Sequence, residues 1–302
     1  MIKLKQMNYK SFLLTVLGVF IVSNVFAQAN ILNAKSPEEI GVRTPEQIAL
    51  DNDKPLEYGY VDDRDILFAK MTWERVVLDE RVNFPLYYPI DTNNIGKNRR
   101  SLYDVLYSSV KNGKIKNIYD DSYFTAKRTL KDIEAALTKI DTTELGIEQI
   151  NAGEDLSAEY INRRDITAAD IKEYHVKGFW YFDKRQAELK YRILGIAPVA
   201  PDVNFIDSDT PDLVPLFWVF FPDAREVLHE YKAFNNDNSA IPHSFDHLLN
   251  SRHFNGYIFK EENVYGDRRI SEYVAENALM QLLESDRIKE KIRNFELDMW
   301  TY

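Results

Sequence analysis

The alternation of apolar and polar positions is clearest over residues 179–203. Phe179-Trp180-Tyr181-Phe182 is an aromatic run, Asp183-Lys184-Arg185-Gln186 is a polar break, and Leu189, Tyr191 and Ile193 then alternate with Glu188, Lys190 and Arg192. Period two over this length predicts two strands, each with one buried face, joined by a four-residue loop into an antiparallel hairpin. Gly195, Pro198 and Pro201 are expected to end the second strand, because proline has no N–H for the ladder.

On either side the pattern changes period. A mixed apolar run at 66–78 holds Trp73, and Pro85 and Pro89 bracket Leu86-Tyr87-Tyr88 in a turn or edge segment. Ser101 is placed to cap a helix whose face is Leu102, Val105 and Leu106, with Gly113 at its end. Residues 114–119 alternate as a strand. Thr129 and Asp132 form a weak capping box before the stripe Leu130, Ile133, Leu137 and Ile140. Residues 141–166 are polar, contain Gly146 and Gly153, and read as a connector. Beyond the hairpin, the pattern predicts a strand at 213–221 with Trp218, a helix at 222–231 and another at 244–251. A strand at 256–261 and a helix at 270–284 follow. A last helix is expected after Ser285, with Ile288, Ile292, Phe295 and Met299 on its buried stripe and Trp300 anchoring its end.

Two stretches match in order. Ser101-Leu102-Tyr103-Asp104-Val105-Leu106 leads to Asn112-Gly113-Lys114-Ile115, and Ser244-Phe245-Asp246-His247-Leu248-Leu249 leads to Asn255-Gly256-Tyr257-Ile258. Tyr123 and Tyr265 follow at similar distances, and a tryptophan-bearing apolar run precedes each stretch. The expectation is an α+β protein of two related halves, an internal duplication, around the central antiparallel hairpin. Its organisation would be a signal peptide (1–27), an extended arm (28–63), a first half (64–140), the polar connector (141–166) and a second half (167–302).

The amino terminus changes the picture by giving an address. Lys3, Lys5 and Lys10 precede an apolar stretch at 12–22, and Val25 and Ala27 occupy the −3 and −1 positions before Gln28. This predicts a secretory signal cleaved between Ala27 and Gln28. The apolar core of about eleven residues is far shorter than the roughly 20 of a spanning helix. The chain has no cysteine, so an exported form has neither disulfides nor a lipidation site near the cleavage point. The net charge of −10 becomes −13 when the three lysines of the signal are removed. That argues against nucleic acid or an anionic membrane surface as partner and permits a basic protein.

Candidate chemistry is sparse. His243 and His247 are four apart, but no glutamate completes a zinc-protease motif and Asp246 is expected to point off their face. Asp91-Thr92-Asn93-Asn94-Ile95-Gly96 starts like a calcium loop, yet Ile95 replaces a ligand and Leu102 stands where the bidentate glutamate belongs. The acidic loop 207–212 is read as solvated. Nucleophile-elbow, P-loop and dinucleotide fingerprints are missing. No catalytic, cofactor or metal residue is assigned. Trp73, Trp180, Trp218 and Trp300, with Ile292 and Phe295, are expected in core or interface packing.

Three stretches carry a resemblance: NFPLYYP (83–89), FWYFDKRQAELKYRILGIAPVAPDV (179–203) and NALMQLLESDRIKEKIRNFELDMW (277–300). They are similar to the GldN/PorN proteins of the gliding-motility and type IX secretion machinery of Bacteroidota. The resemblance implies a non-enzymatic periplasmic subunit without cofactors. It would assemble with itself, with an outer-membrane lipoprotein and with other secretion and motility subunits in a large ring below the outer membrane. Two other readings stay open: an exported hydrolase, marked by a pocket of perturbed carboxylates or histidines, and a periplasmic glycan- or peptidoglycan-binding module, marked by an aromatic platform in a groove.

Overall fold

The computed structural model of the chain describes residues 53–91, 99–153, 158–205, 211–234, 243–275 and 277–300, with isolated positions 36, 45 and 49. The expected cleavage pair Ala27 and Gln28, most of the arm, the stretch 92–96 and much of the acidic loop lie outside the described residues. The elements, in chain order, are β1 (Ile66–Val77), α1 (Phe84–Tyr87), α2 (Leu102–Lys111), β2 (Ile118–Tyr119), α3 (Leu130–Leu137), β3 (Thr138–Thr142) and α4 (Glu144–Asn151). Then come β4 (Ile161–Asp165), β5 (Glu173–Asp183), β6 (Glu188–Pro201), β7 (Leu213–Pro215), β8 (Trp218–Phe220), α5 (Phe221–Glu230) and β9 (Lys232–Ala233). Last are β10 (His243–Ser244), α6 (Phe245–Asn250), β11 (Tyr257–Glu261), α7 (Ile270–Tyr273) and α8 (Ala278–Trp300). The protein is mixed α/β with antiparallel sheets. The main sheet runs β11-β1-β5-β6-β8-β2, with β7 also on β6.

β5 and β6 pair from Glu173↔Val199 to Asp183↔Glu188, with residues 184–187 between the strands. Ala187 closes this turn at φ 54°. Contrary to expectation, Gly195 and Pro198 do not end β6 but lie within it, while Pro201 is its last residue. The outer neighbour of β6 is interrupted there: β8 pairs with Gly195 and Ile196, and β7 with Val199 to Pro201. Pro198 sits in the gap and needs only its carbonyl, which accepts from Leu216 N at 2.9 Å. A missing N–H therefore leaves no hole in the ladder. Gly178, opposite the ring of Tyr191, makes room for it: a Cβ there would lie 2.1 Å from the tyrosine hydroxyl.

Alternation sorts the strands onto two faces. Val76, Tyr174, Val176 and Ile196 face a layer containing α2, α3, α5 and α6, where Val105, Leu106, Ile133, Phe221, Leu228 and Phe245 are buried. Each such side chain contributes roughly 1.5–3 kcal/mol by leaving water. The opposite face carries Trp73, Ala197 and Trp218, packed with Tyr119, Phe124 and Phe259.

Local signals set the helix boundaries. Ser101 Oγ accepts from Asp104 N at 3.2 Å, and Thr129 and Asp132 form the reciprocal box ahead of α3. The last helix departs from expectation. α8 runs unbroken from Ala278, where Asn277 Oδ1 accepts from the N–H groups of Leu279 and Met280 at 3.0 and 3.2 Å. Ser285 is therefore not a cap. It is buried in mid-helix and its Oγ accepts from Ile258 N at 2.8 Å, tying α8 to the edge strand β11. The helix predicted over 270–284 is the single turn α7 plus the start of α8.

Residues 54–302 form one unit. Within it the stretch expected as a connector carries α4 and β4, and β4 pairs with β3 from Thr138↔Asp165 to Thr142↔Ile161. The carboxy-terminal end of the expected arm is pinned by Tyr58, whose hydroxyl donates to Asn250 Oδ1 at 2.7 Å beneath the Arg225 guanidinium, 4.2 Å from its ring.

Candidate functional site

The six residues expected in core or interface packing fall into three places. Trp73 and Trp218 are buried together on the face away from the helical layer. Ile292 is buried with Ile258, Ile270 and Ile288 under α8, and Trp180 packs at the margin of that cluster. Phe295 stacks on Phe68 at 4.5 Å and meets Phe182 edge-on at 5.8 Å. Trp300 joins neither group. It is 66% exposed, so it does not anchor the helix end as expected. The buried stripe ends at Phe295, where the aromatic side chains of the sheet supply the last contacts.

Between the two clusters of the helical face lies a charged seam that alternation alone does not reveal. Glu74 is in phase with Thr72 and Val76 on β1, and its side chain is 1% exposed. Arg252 Nη1 and Nη2 donate to its two oxygens at 3.1 and 2.8 Å. The guanidinium also lies over the rings of Tyr191 at 4.2 Å and Trp180 at 4.9 Å. Burial pushes the Tyr191 phenol well above its usual range, and the Glu74 carboxylate adds to this. The seam opens into a cavity of about 550 Å³ between the sheet and α8, lined also by Leu189, Lys289 and Glu296. Its polar wall is largely committed. Lys289 Nζ donates to Gly256 O at 2.7 Å, and Glu296 Oε1 accepts from Leu189 N at 3.2 Å. Trp180 Nε1 is buried without an acceptor.

On the other face, Lys177 and Lys260 share an aromatic box. Lys177 Nζ lies 5.1 Å from the Trp73 ring and 4.9 Å from Tyr123, and donates to Ser122 O at 2.8 Å. Lys260 Nζ lies 4.4 Å from Trp73 and donates to Tyr123 Oη at 2.8 Å. Desolvation lowers both ammonium pKa values, and Lys260 lowers that of Lys177 further. Burial, with the hydrogen bond given to Asp267, pushes the Tyr123 phenol up to about 12. Alongside, His175 Nε2 lies 2.9 Å from Glu173 Oε1, its ring 4.6 Å from Phe259. Desolvation holds the imidazole below its ordinary pKa, against the pull of Glu173. These groups bond to one another and to backbone, so the box acts as an internal staple. The sequence signal for it was a lysine and a histidine in phase on a buried strand.

Three of the other histidines form a surface stack, with the His243 and His247 rings 5.3 Å apart and His253 edge-on to His247 at 6.4 Å. Among the described residues no group of three His, Asp or Glu is arranged to hold a metal. No described helix is long and apolar enough to cross a membrane. A separate open groove of about 470 Å³ is lined by Arg81, Phe84, Pro85, Tyr88, Arg99 and Phe234. Arg99 covers the Phe234 ring at 4.3 Å, and Phe84 meets Tyr88 edge-on at 5.5 Å.

The fold and its buried charges define an α/β protein stapled by internal ion pairs. The sequence matches the family described as gliding motility associated protein GldN over residues 61–301, and the chain belongs to that family. No curated protein matches it.

Proposed function

We propose that this protein is a non-enzymatic structural subunit of the periplasmic ring complex of the type IX secretion and gliding-motility machinery, assembled with an outer-membrane lipoprotein. The observation that carries this reading is the family match, which spans nearly all of the structured unit. Lys177, Lys260, Tyr123, His175 and Arg252, all with perturbed pKa values, support it, since each is tied to an internal partner. Export by a signal cleaved between Ala27 and Gln28 would place the chain in the periplasm, held at the outer membrane through the lipoprotein. A mature charge of −13 favours a basic partner surface over self-closure, because like-charged neighbours within a Debye length of roughly 8 Å repel. Tagged protein purified from envelopes should bring down the lipoprotein, and the association should weaken as salt rises. Recovery of the chain alone from intact envelopes would overturn this reading.

The same reading takes 64–140 and 167–302 as related halves. Support comes from matched local devices. Phe84-Pro85 opens α1 and Phe221-Pro222 opens α5. Ser101 and Ser244 cap α2 and α6 at φ −71°, ψ 158° and φ −71°, ψ 153°. A left-handed residue follows each helix, Gly113 at φ 70° and Arg252 at φ 53°. On this alignment Gly113 corresponds to Arg252 and not to Gly256. Edge strands β2 and β11 come next, and each is bridged after a loop, Tyr119↔Lys127 and Lys260↔Arg269. The edges are exchanged, β11 lying on β1 and β2 on β8.

One observation favours a second reading, a glycan- or peptidoglycan-binding module. The groove of Phe84, Tyr88 and Phe234 presents exposed aromatic faces beside Arg81 and Arg99. Binding of soluble peptidoglycan fragments that is lost in Tyr88→Ala would support it. Unchanged binding in that variant would remove it.

A further inference from the structure

β3 and β4 form a two-stranded sheet apart from the main one. Two backbone bonds fix which way its groups point: Ile166 N donates to Leu137 O and Thr143 N to Tyr160 O, both at 2.9 Å. With the register Thr138↔Asp165 to Thr142↔Ile161, these bonds make Lys139 and Asp141 the residues of β3 that exchange hydrogen bonds with β4. The N–H and C=O groups of Thr138, Ile140 and Thr142 therefore point out of the opposite edge. Among the described residues β4 is the only strand paired with β3, and besides it only the adjoining helix α3 packs extensively against the strand. Such an edge is a template for another strand. At its centre stands Ile140, 63% exposed.

The order Thr138-Lys139-Ile140-Asp141-Thr142 is its own complement when reversed. A second copy laid antiparallel with Ile140 on Ile140 sets Thr138 against Thr142 and Lys139 against Asp141. We propose that β3 of one copy pairs antiparallel with β3 of a second copy about a two-fold axis at Ile140, joining the two hairpins into one continuous sheet. Hydrogen bonding and charge together choose this register. The outward groups of Thr138, Ile140 and Thr142 meet those of the second copy's Thr142, Ile140 and Thr138, so each finds a backbone partner. An axis at Lys139 or at Asp141 would also match backbone groups, but it would set lysine directly on lysine or aspartate on aspartate. With the axis at Ile140, Lys139, which meets Asp141 of its own strand at 3.0 Å, gains the second copy's Asp141 as a lateral partner. Acids and bases then alternate around the axis, and the exposed isoleucines cover each other. Charge complementarity at the register the backbone allows therefore selects a second copy as the occupant. A two-fold contact closes on itself and does not propagate, so the dimer stays small. The inference goes beyond the assembly role proposed above and does not depend on it.

The test uses the purified mature chain and sedimentation over a range of concentrations. A monomer–dimer equilibrium with Kd in the range of about 10–300 μM is expected for a contact as small as one strand pair. Ile140→Lys puts like charges together at the axis and should weaken it at least about tenfold. Lys139→Asp should weaken it, and adding Asp141→Lys, which makes the order self-complementary again, should restore it. Because the chain has no cysteine, single thiols read the register. Ile140→Cys places paired Cα atoms about 5.5 Å apart, within the span a disulfide bridges, and should oxidise to a covalent dimer. Thr142→Cys lies roughly 13 Å along the strands from its own counterpart and should not, yet it should cross-link when mixed with Thr138→Cys. Unchanged circular dichroism and melting verify that each variant folds. A parent chain monomeric at about 500 μM, a dimer indifferent to Ile140→Lys, or Ile140→Cys oxidising no faster than Thr142→Cys would each overturn the proposal.

Discussion

Arg252→Ala removes the cation from the charged seam and leaves the Glu74 carboxylate in place. Glu74 is 1% exposed and its two oxygens are held by Arg252 at 3.1 and 2.8 Å. Two unit charges at about 4 Å attract by roughly 4 kcal/mol at an effective dielectric of 20, and desolvation of both offsets much of this in the intact pair. Truncating one partner loses the attraction while the other remains buried, which costs about 3–5 kcal/mol. The two ring contacts of the guanidinium add to the loss, by about 0.5–1 kcal/mol each. Arg252 also sits at φ 53°, so alanine gains nothing from backbone relaxation. The expected loss is about 4 kcal/mol, equivalent to roughly 8–16 °C in Tm for a unit of this size. Urea unfolding followed by tryptophan fluorescence measures it, and Trp180 reports on the seam directly. The double variant Glu74→Leu, Arg252→Met should recover most of the loss, since an apolar replacement carries no stranded charge. A loss below about 1 kcal/mol in Arg252→Ala, or a double variant no better than the single, would refute the reasoning.

Three further outcomes are expected. Ile292→Asp places a carboxylate at a position 3% exposed under α8 and should destabilise by more than about 3 kcal/mol in urea unfolding. Ser285→Ala strands the Ile258 N–H and should cost about 1–3 kcal/mol, with faster hydrogen exchange at Ile258 as the local readout. His175 is held neutral by burial, so its folded pKa lies below its unfolded value near 6.5. Its contribution is present above that pH and is lost as pH falls below it, while the unfolded chain takes up a proton the folded chain refuses. The stability of His175→Gln should therefore fall less steeply than the parent's between pH 7 and pH 5.5, by up to about 1.4 kcal/mol per pH unit.

Features fixed by short range were legible in the sequence. The β5–β6 pair declares itself through alternation and a polar break, and Thr129 through its own reciprocal bond. α8 was misread because its N-terminal apolar residues Leu279, Met280, Leu282 and Leu283 look like a buried helix, although they stand largely in solvent. Ser285 then looked like a cap, while its partner is a backbone amide 27 residues away. Pro198 looked like a stop because the gap in its neighbouring strand is a tertiary fact. The seam is further out of reach: Glu74 and Arg252 are 178 residues apart, and only a carboxylate in phase with Val76 hinted at a distant cation. The family was legible from three motifs, but none of them carries the charged seam or the lysine box in full.

The strands before residue 153 depend for their pairing on strands after residue 158. β1 lies between β5 and β11, and β2 pairs with β8. A chain of residues 54–153 therefore keeps β1 with neither neighbour. Its Trp73 loses Ala197 and Trp218, and α2 loses the sheet surface formed by Val176 and Ile196. Ladder groups with no partner must be solvated, and the apolar face they carry cannot then be buried. Expressed alone, 54–153 should be unfolded and 158–302 should be destabilised at the bared edges of β5, β8 and β11. Mixed, the two should associate with recovery of near-ultraviolet circular dichroism and of buried tryptophan fluorescence, because β1 inserts into a slot whose two walls belong to the other fragment. A cooperative thermal transition in 54–153 by itself would show that the first half folds without that slot, and the exchanged pairing would then not be what holds the molecule together.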